Sequence, residues 1–332
     1  MSRQVIFEKH SLERALPENY QAQDFRHFDG DIHNTIREMH VVEFNNASIL
    51  QYFLFHKRRL LDQYCATRPI HWKKRLKAYV KSIIYPSITI NEATWLIDNW
   101  SAGYFHWVTD VLPRILVAKQ YLPLRPILLP ESFQKLSFVQ ESIQLLEVNV
   151  IYYQPFKKYK IKQLGLTSHL STCNFNIELM QQVRSFFASQ DSGNFSKPSK
   201  RIYISRSKAN RRRVLNEDAL IQLLSKYDIS CYYMEDLSFV QQRKLMVETQ
   251  FLISNHGAGL TNMTFMQEGA TVFELKSDSS NTNNCFFNLA RALNHQYYYT
   301  INSGQGDHIQ YADIVVDLEK LEKELGRILS QK

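Results

Sequence analysis

The chain has 332 residues, 44% of them hydrophobic and 13% aromatic, which is enough apolar surface for packed cores and excludes a disordered chain. That length corresponds to about two ordinary domains. The formal net charge of +8 suits a phosphate-rich ligand, a nucleic acid or an anionic membrane surface, and no apolar run is long enough to span a bilayer.

The N-terminal residues carry no apolar stretch of the signal-peptide kind, so no leader is expected. Cys65, Cys173, Cys231 and Cys285 lie far apart, with no CxxC or zinc spacing. Cys231 and Cys285 fall in strand and helix patterns and read as buried free thiols, which points to a reducing cytosol.

Up to about residue 90 short apolar runs alternate with polar turns. Residues 40–44 and 48–54 read as strands, and Asp29-Gly30-Asp31 reads as a hairpin turn. The DxD spacing of Asp29 and Asp31 also occurs where sugar transferases hold a metal–diphosphate, but the turn is the simpler account. Residues 72–84 follow, with Trp72, Leu76, Tyr79, Val80 and Ile83 on one helix face and Lys73, Lys74, Arg75, Lys77 and Lys81 around the rest. Such a helix either packs on a core with its basic face solvated or lies at an anionic membrane surface.

From about 95 to 190 helices and strands alternate, with strands at 126–130, 149–153 and 161–166. Asp191 to Lys200 is the clearest linker. Beyond it a stronger alternating series places strands at 201–205, 229–234, 251–254, 271–275 and 296–301, and a charged amphipathic helix at 318–330. Alternation of this kind implies parallel sheets covered on both faces, with ligands at the carboxyl ends of strands.

Three constellations carry chemistry. In the first, Ser101 can cap a helix on which His106 and Asp110 share a face, Arg114 lies one turn on, and Pro113 opens the ladder. This is either an acid/base pair or a surface His–Asp pair. In the second, Ser205-Arg206 ends a strand and Arg211-Arg212-Arg213 follows, which suits a diphosphate clamp or a solvated basic loop. The third is Asn255-His256-Gly257-Ala258-Gly259-Leu260-Thr261-Asn262, which follows an apolar strand. Its glycines permit positive φ and close approach, and a helix from Leu260 would aim free amides at an anion. An ordinary Gly-containing turn is the alternative. Glu274, at the next strand end, is placed to accept from ribose hydroxyls. No Ser-His-Asp order, GxSxG, HExxH or EF-hand spacing is present. A nucleic-acid reading would rest on charge alone, so no nucleic-acid partner is expected.

The run His256 to Met263, through Phe265-Met266 to Gly269-Ala270-Thr271-Val272-Phe273-Glu274-Leu275, closely resembles the signature of the family 61 glycosyltransferases. Upstream, Tyr104-Phe105-His106-Trp107 with Asp110, Leu112, Pro113 and Arg114, then Tyr203-Ile204-Ser205-Arg206, then Arg212-Arg213 with Asn216-Glu217 fit the same family in order. The resemblance covers roughly residues 95–300. It implies an α/β, GT-B-like architecture of two Rossmann-like domains facing a cleft, with a β-rich N-terminal portion. Residues 1–190 would form the acceptor-side domain and 201–332 the donor domain, the C-terminal helix being free to pack back on the first.

The resemblance further implies an inverting, metal-independent transferase without cofactor. Its donor would be a nucleotide-sugar, a UDP-sugar first among them, and its acceptor a saccharide or lipid-linked saccharide of capsule or cell-surface polysaccharide. The location would be cytoplasmic, with peripheral inner-membrane contact through residues 72–84. Asp110 is the first choice for the base and His106 the second, with Tyr104 and Arg114 on the acceptor side. Arg206, Arg213, His256, Gly257, Ala258, Gly259, Leu260, Asn262 and Glu274 would hold the donor. A non-catalytic scaffold, or a pyruvyl or phosphoryl transferase of the same architecture, is the competing reading.

Overall fold

The structure is a computed structural model that describes residues 2–66, 69–190, 197–278, 283–305 and 312–330. The central part of the expected linker, residues 191–196, lies outside these. The chain forms two compact units. The first comprises Met1–Ser11 and Thr35–Val183, the second Leu12–Asn34 and Arg184–Lys332. The sequence placed everything before residue 190 in one domain, whereas Leu12–Asn34 belongs to the second unit.

The first unit contains β1 (Ser2–Phe7), and β2 (His10–Glu13) begins where the chain leaves it. After α1 (Phe25–Ile32) and β3 (His33–Ile36) come β4 (Met39–Leu50), β5 (Phe53–His56) and β6 (Arg59–Leu60). Then follow α2 (Trp72–Ile84), β7 (Ser87–Thr94), α3 (Tyr104–His106), α4 (Leu112–Tyr121), β8 (Ile127–Pro130), α5 (Ser137–Leu146), β9 (Val150–Tyr153), β10 (Lys158–Thr167) and α6 (Ile177–Ser189).

The strand order is β6-β5-β4-β10-β7-β8-β9, with β1 on β4. The β10, β7, β8 and β9 pairings are parallel, and β4 runs antiparallel to β10, β5 and β1. The β-rich N-terminal portion is therefore the antiparallel edge of one mixed sheet. The two strands expected at 40–44 and 48–54 are largely one, because β4 runs on through Asn46, which sits at φ 58°.

The expected hairpin turn at Asp29-Gly30-Asp31 is instead the last turn of α1. Phe28 is 1% exposed, against Phe287 and Tyr299, and the Asp31 carboxylate accepts from Asn284 (2.8 Å) and Asn288 (2.6 Å). Tertiary burial of one face overrides the local turn preference.

The second unit, besides α1, holds β11 (Lys200–Ile204), α7 (Glu217–Ser225), β12 (Ile229–Tyr232), α8 (Phe239–Val247) and β13 (Thr249–Asn255). These are followed by a 3₁₀ segment, Ala258–Phe265, then β14 (Thr271–Ser277), α9 (Cys285–Ala292), β15 (Gln296–Gln305), β16 (Asp313–Val315) and α10 (Leu318–Leu329). The sheet order is β12-β11-β13-β14-β15-β16, parallel throughout except for β16 on β15. Phe251, Leu252, Ile253, Val272 and Phe273 are each at most 1% exposed, as strands covered on both faces require.

α10 packs within the second unit. Leu321, Leu325 and Ile328 share one core with Leu220 and Leu224 of α7 and with Ile253 and Phe273. The chain crosses from β11 out to β12 and then back past β11 to β13. The sheet therefore has a topological switch point between β11 and β13, where open α/β sheets bind ligands.

Among the described residues no helix is long and apolar enough to cross a membrane. Cys65 and Cys231 are free thiols, whereas Cys285 is disulfide-bonded. Cys285 is thus not the free thiol expected, and cysteine usage no longer points to a reducing compartment.

Candidate active site

Each unit holds one cluster of its own. In the first, the chain leaves β7 through Asp98, whose carboxylate accepts from the Trp100 amide (2.8 Å) and the Ser101 hydroxyl (3.0 Å). Ser101 therefore braces this turn and does not cap the helix. Gly103 occupies the cap position, with no side-chain bond. Between α3 and α4 the backbone takes a π-helical turn over Trp107–Val111, with the Leu112 amide donating to the Trp107 carbonyl. Pro113 has no N–H to offer Thr109, so the ordinary ladder cannot continue here, and the wider turn absorbs the break.

That turn carries Asp110. Its Oδ2 accepts from Arg114 Nη1 at 3.4 Å, while Oδ1 is buried with no hydrogen-bond partner. Burial pushes the carboxyl up to about 6; Arg114 opposes the rise and Asp98 adds to it. Arg114 is 1% exposed and is held by its Nε–H to Thr167 Oγ1 (2.8 Å) and by Nη1 against His169 Nδ1 (3.3 Å). His169 Nε2 donates to the Tyr64 carbonyl at 3.1 Å. Burial and the Arg114 charge hold this imidazole down at about 3, hence neutral.

The imidazole beside Asp110 is thus His169, at the carboxyl end of β10, and not His106. The His106 ring lies 5.7 Å from that of Trp100 and makes no hydrogen bond to Asp110. Burial lowers its pKa, against the pull of Asp98. Tyr104 sets its ring edge-on to Phe138 at 5.3 Å.

Asp98, Asp110 and His169 bring ligand-type atoms within 4.8 Å of one another. Both His169 nitrogens are already engaged and Arg114 supplies a fixed positive charge, so the cluster is built for proton chemistry and fits a cation poorly. Sequence reasoning missed Asp98 and His169. The signal for each was its place just past a parallel strand, β7 and β10 respectively.

The second cluster sits at the switch point. After β11, Ser205 is fixed by its hydroxyl to Glu217 at 2.8 Å, and Arg206 follows. After β13 come His256 and Gly257. Gly257 is extended, at φ 168°, and Gly259 has no positive φ either, so the glycines are not there for left-handed backbone. They are there for space. A Cβ on Gly257 would lie 2.6 Å from Arg206 Cζ, and one on Gly259 would lie 2.8 Å from Ile204 Cγ2. The Arg206 guanidinium is laid across Gly257, with Nη2 on the Arg211 carbonyl (3.3 Å) and Nε buried without a partner. Burial and Arg212 lower its pKa, which leaves it a cation.

Beside it, the amides of Gly257, Ala258 and Gly259 donate to no acceptor among the described residues. The Leu260 amide is spent on the Gly257 carbonyl at 3.0 Å. Asn262 is buried and donates to Gln242 at 3.1 Å, so it braces the 3₁₀ segment, which stands where an α-helix was expected. Arg213 pairs with Asp313 at 3.1 Å on the surface.

Glu274 is not open to a ribose. It is 0% exposed, with Oε1 accepting from His256 Nδ1 at 2.5 Å and Oε2 from the Tyr297 hydroxyl. Burial raises its pKa, but Lys276, His256 and the Tyr297 bond overcome that and hold it at about 2. His256 is lowered by burial despite Glu274, so at neutral pH Nδ1–H points at Glu274 and Nε2 presents a lone pair. The ring packs edge-on to Phe286 at 4.9 Å. Glu274 orients His256, and His256 borders the cradle.

Residues 104–273, just over half of the chain, match the family model described as Glycosyltransferase 61. A segment is 39% identical over 98 residues to an EGF domain-specific O-linked N-acetylglucosamine transferase of Drosophila melanogaster, covering 29% of this chain and 18% of that protein. The proteins of the same name from Mus musculus (32% over 96 residues, 27% and 18%) and Rattus norvegicus (32% over 105 residues, 30% and 19%) are also similar. These matches span less than a fifth of the length of the curated relatives. The arginine laid on a glycine at the switch point, and the acid–arginine–histidine cluster after the π turn, both lie within the matched span: the chain belongs to glycosyltransferase family 61.

Proposed function

We propose that the chain transfers a sugar from a nucleotide-sugar, with inversion, to a hydroxyl of a saccharide acceptor in cell-surface polysaccharide synthesis, on a GT-B scaffold. The observation that carries this is the switch-point cradle: a cationic Arg206 laid against Gly257 beside three unpartnered amides. Such a group matches the charge and acceptor atoms of a diphosphate. The second unit then holds the donor, and Arg206 and the loop amides offset the charge that grows on the leaving diphosphate.

The first unit supplies the base. Asp110 Oδ1, buried and unpartnered, takes the acceptor proton as the acceptor oxygen bonds to the anomeric carbon and the carbon–phosphate oxygen bond breaks. Arg114 fixes the carboxylate and His169 fixes Arg114. With charge offset by Arg206 and amides, no metal is needed. The relatives are named for N-acetylglucosamine, so UDP-N-acetylglucosamine is the first donor to test.

Calorimetric titration with UDP, GDP and CMP, followed by a donor screen with mass-spectrometric detection of glycosylated product, tests this. Binding of one nucleoside diphosphate, lost in Arg206→Ala, and a matching product are expected. Binding of none would sink the donor-site reading and favour a non-catalytic scaffold.

A further inference from the structure

α2 turns its apolar stripe away from the protein. Trp72 is 61% exposed, Leu76 57%, Val80 47%, Ile83 83% and Ile84 69%, all on one helical face. The face it turns inward is narrow. Ala78 is buried, Tyr79 sets its ring against Phe55 at 5.4 Å and receives the Leu60 amide at 3.0 Å, and Arg75 pairs with Asp62. The core-packed placement of the stripe is therefore reversed. The patch continues past the helix: Phe156, 67% exposed, comes from the turn between β9 and β10 to within 6.0 Å of Tyr85. Single exposed apolar side chains are ordinary, but a contiguous band of this kind marks an interaction surface.

Charge selects the partner. Lys73 and Lys77 are exposed along the stripe, the Lys73 ammonium lies 5.6 Å from the Trp72 ring, and α2 has no acidic residue. A second copy would set lysine against lysine. We propose that this face docks on an anionic lipid bilayer, with Trp72, Leu76, Val80, Ile83, Ile84 and Phe156 in the interface and the lysines on the headgroups. The inference stands apart from the sugar-transfer reading, since no residue of either cluster takes part.

Flotation of the full chain with vesicles tests it. The chain is expected to float with phosphatidylcholine vesicles that contain phosphatidylglycerol, to stay behind with phosphatidylcholine alone, and to be released by high salt. Leu76→Asp/Ile83→Asp and Lys73→Glu/Lys77→Glu should each bind at least about tenfold more weakly. All four sites are exposed, so both variants should melt like the parent, and nucleotide titration should be unchanged. Equal binding by parent and variants would overturn the proposal. So would a parent that binds no vesicle and elutes as a dimer that the Leu76→Asp/Ile83→Asp pair dissociates, which would assign the stripe to a second copy.

Discussion

At the level of single residues, Asp110 and Glu274 are both enclosed carboxylates with opposite pKa shifts, and the shifts predict opposite behaviour. Asp110 is pushed up to about 6 from an ordinary 3.8. Its folded form holds the proton more tightly than the unfolded chain does, so this group favours folding at low pH. That contribution falls away as pH rises from 3.8 to 6. Asp110→Asn should therefore melt no lower than the parent at pH 8 while losing about 100-fold or more in transfer. A lower melting temperature with transfer intact would make the residue structural. In the parent, kcat/KM should climb as pH rises through about 6.

Glu274 runs the other way. Its pKa is held at about 2, so its stabilisation is complete above 4.5 and is lost as pH falls toward 2. Glu274→Gln removes the buried carboxylate that accepts from His256 and Tyr297 and offsets the nearby Lys276 charge, and should cost on the order of 3–5 kcal/mol at pH 7. Urea titrations at pH 7 and pH 3 check this, since the gap between variant and parent should narrow at the lower pH. Asp110 and Glu274 stand out in the sequence, whereas their partners do not. His169 lies 59 positions from Asp110 and Tyr297 lies 23 from Glu274, and neither pairing has a local period to betray it.

At the level of elements, the two loop glycines separate into different jobs. Gly257 leaves room for a guanidinium, whereas Gly259 leaves room for Ile204, a fully packed strand residue. Gly257→Ala should displace Arg206 and weaken nucleotide binding about tenfold while the fold holds. Gly259→Ala should instead wedge the 3₁₀ segment off β11 and cost about 1–3 kcal/mol in denaturant titrations. If both variants changed only stability, the cradle would have no ligand role.

Most elements were legible because their periods are clean. The strand at 271–275 and the helix at 72–84 fall where the structure has β14 and α2. What stayed hidden depended on distant packing. β7 has exposed positions along most of its length and no apolar run to announce it. α1 was masked by Asp29-Gly30-Asp31, and the direction of the α2 stripe cannot be read from a helical wheel at all.

At the level of the whole molecule, the second unit draws on both ends of the sequence. Phe28 from the Leu12–Asn34 segment seats against Phe287 (5.3 Å) and Tyr299 (4.8 Å), and Asn19 donates to the Tyr299 carbonyl (2.8 Å). Residues 184–332 made alone should therefore be poorly soluble, with Phe287 and Tyr299 uncovered, and co-expression with a 12–34 peptide should restore soluble material. A well-behaved, two-state 184–332 fragment would contradict this. For a chain emerging from the ribosome the consequence is a matter of timing. The Leu12–Asn34 segment is translated long before its seat, which is not complete until β15 has been made. The Leu12–Asn34 stretch must wait, unsatisfied, through synthesis of Thr35–Val183 and of the second unit as far as β15, which makes it the natural site for a chaperone to hold.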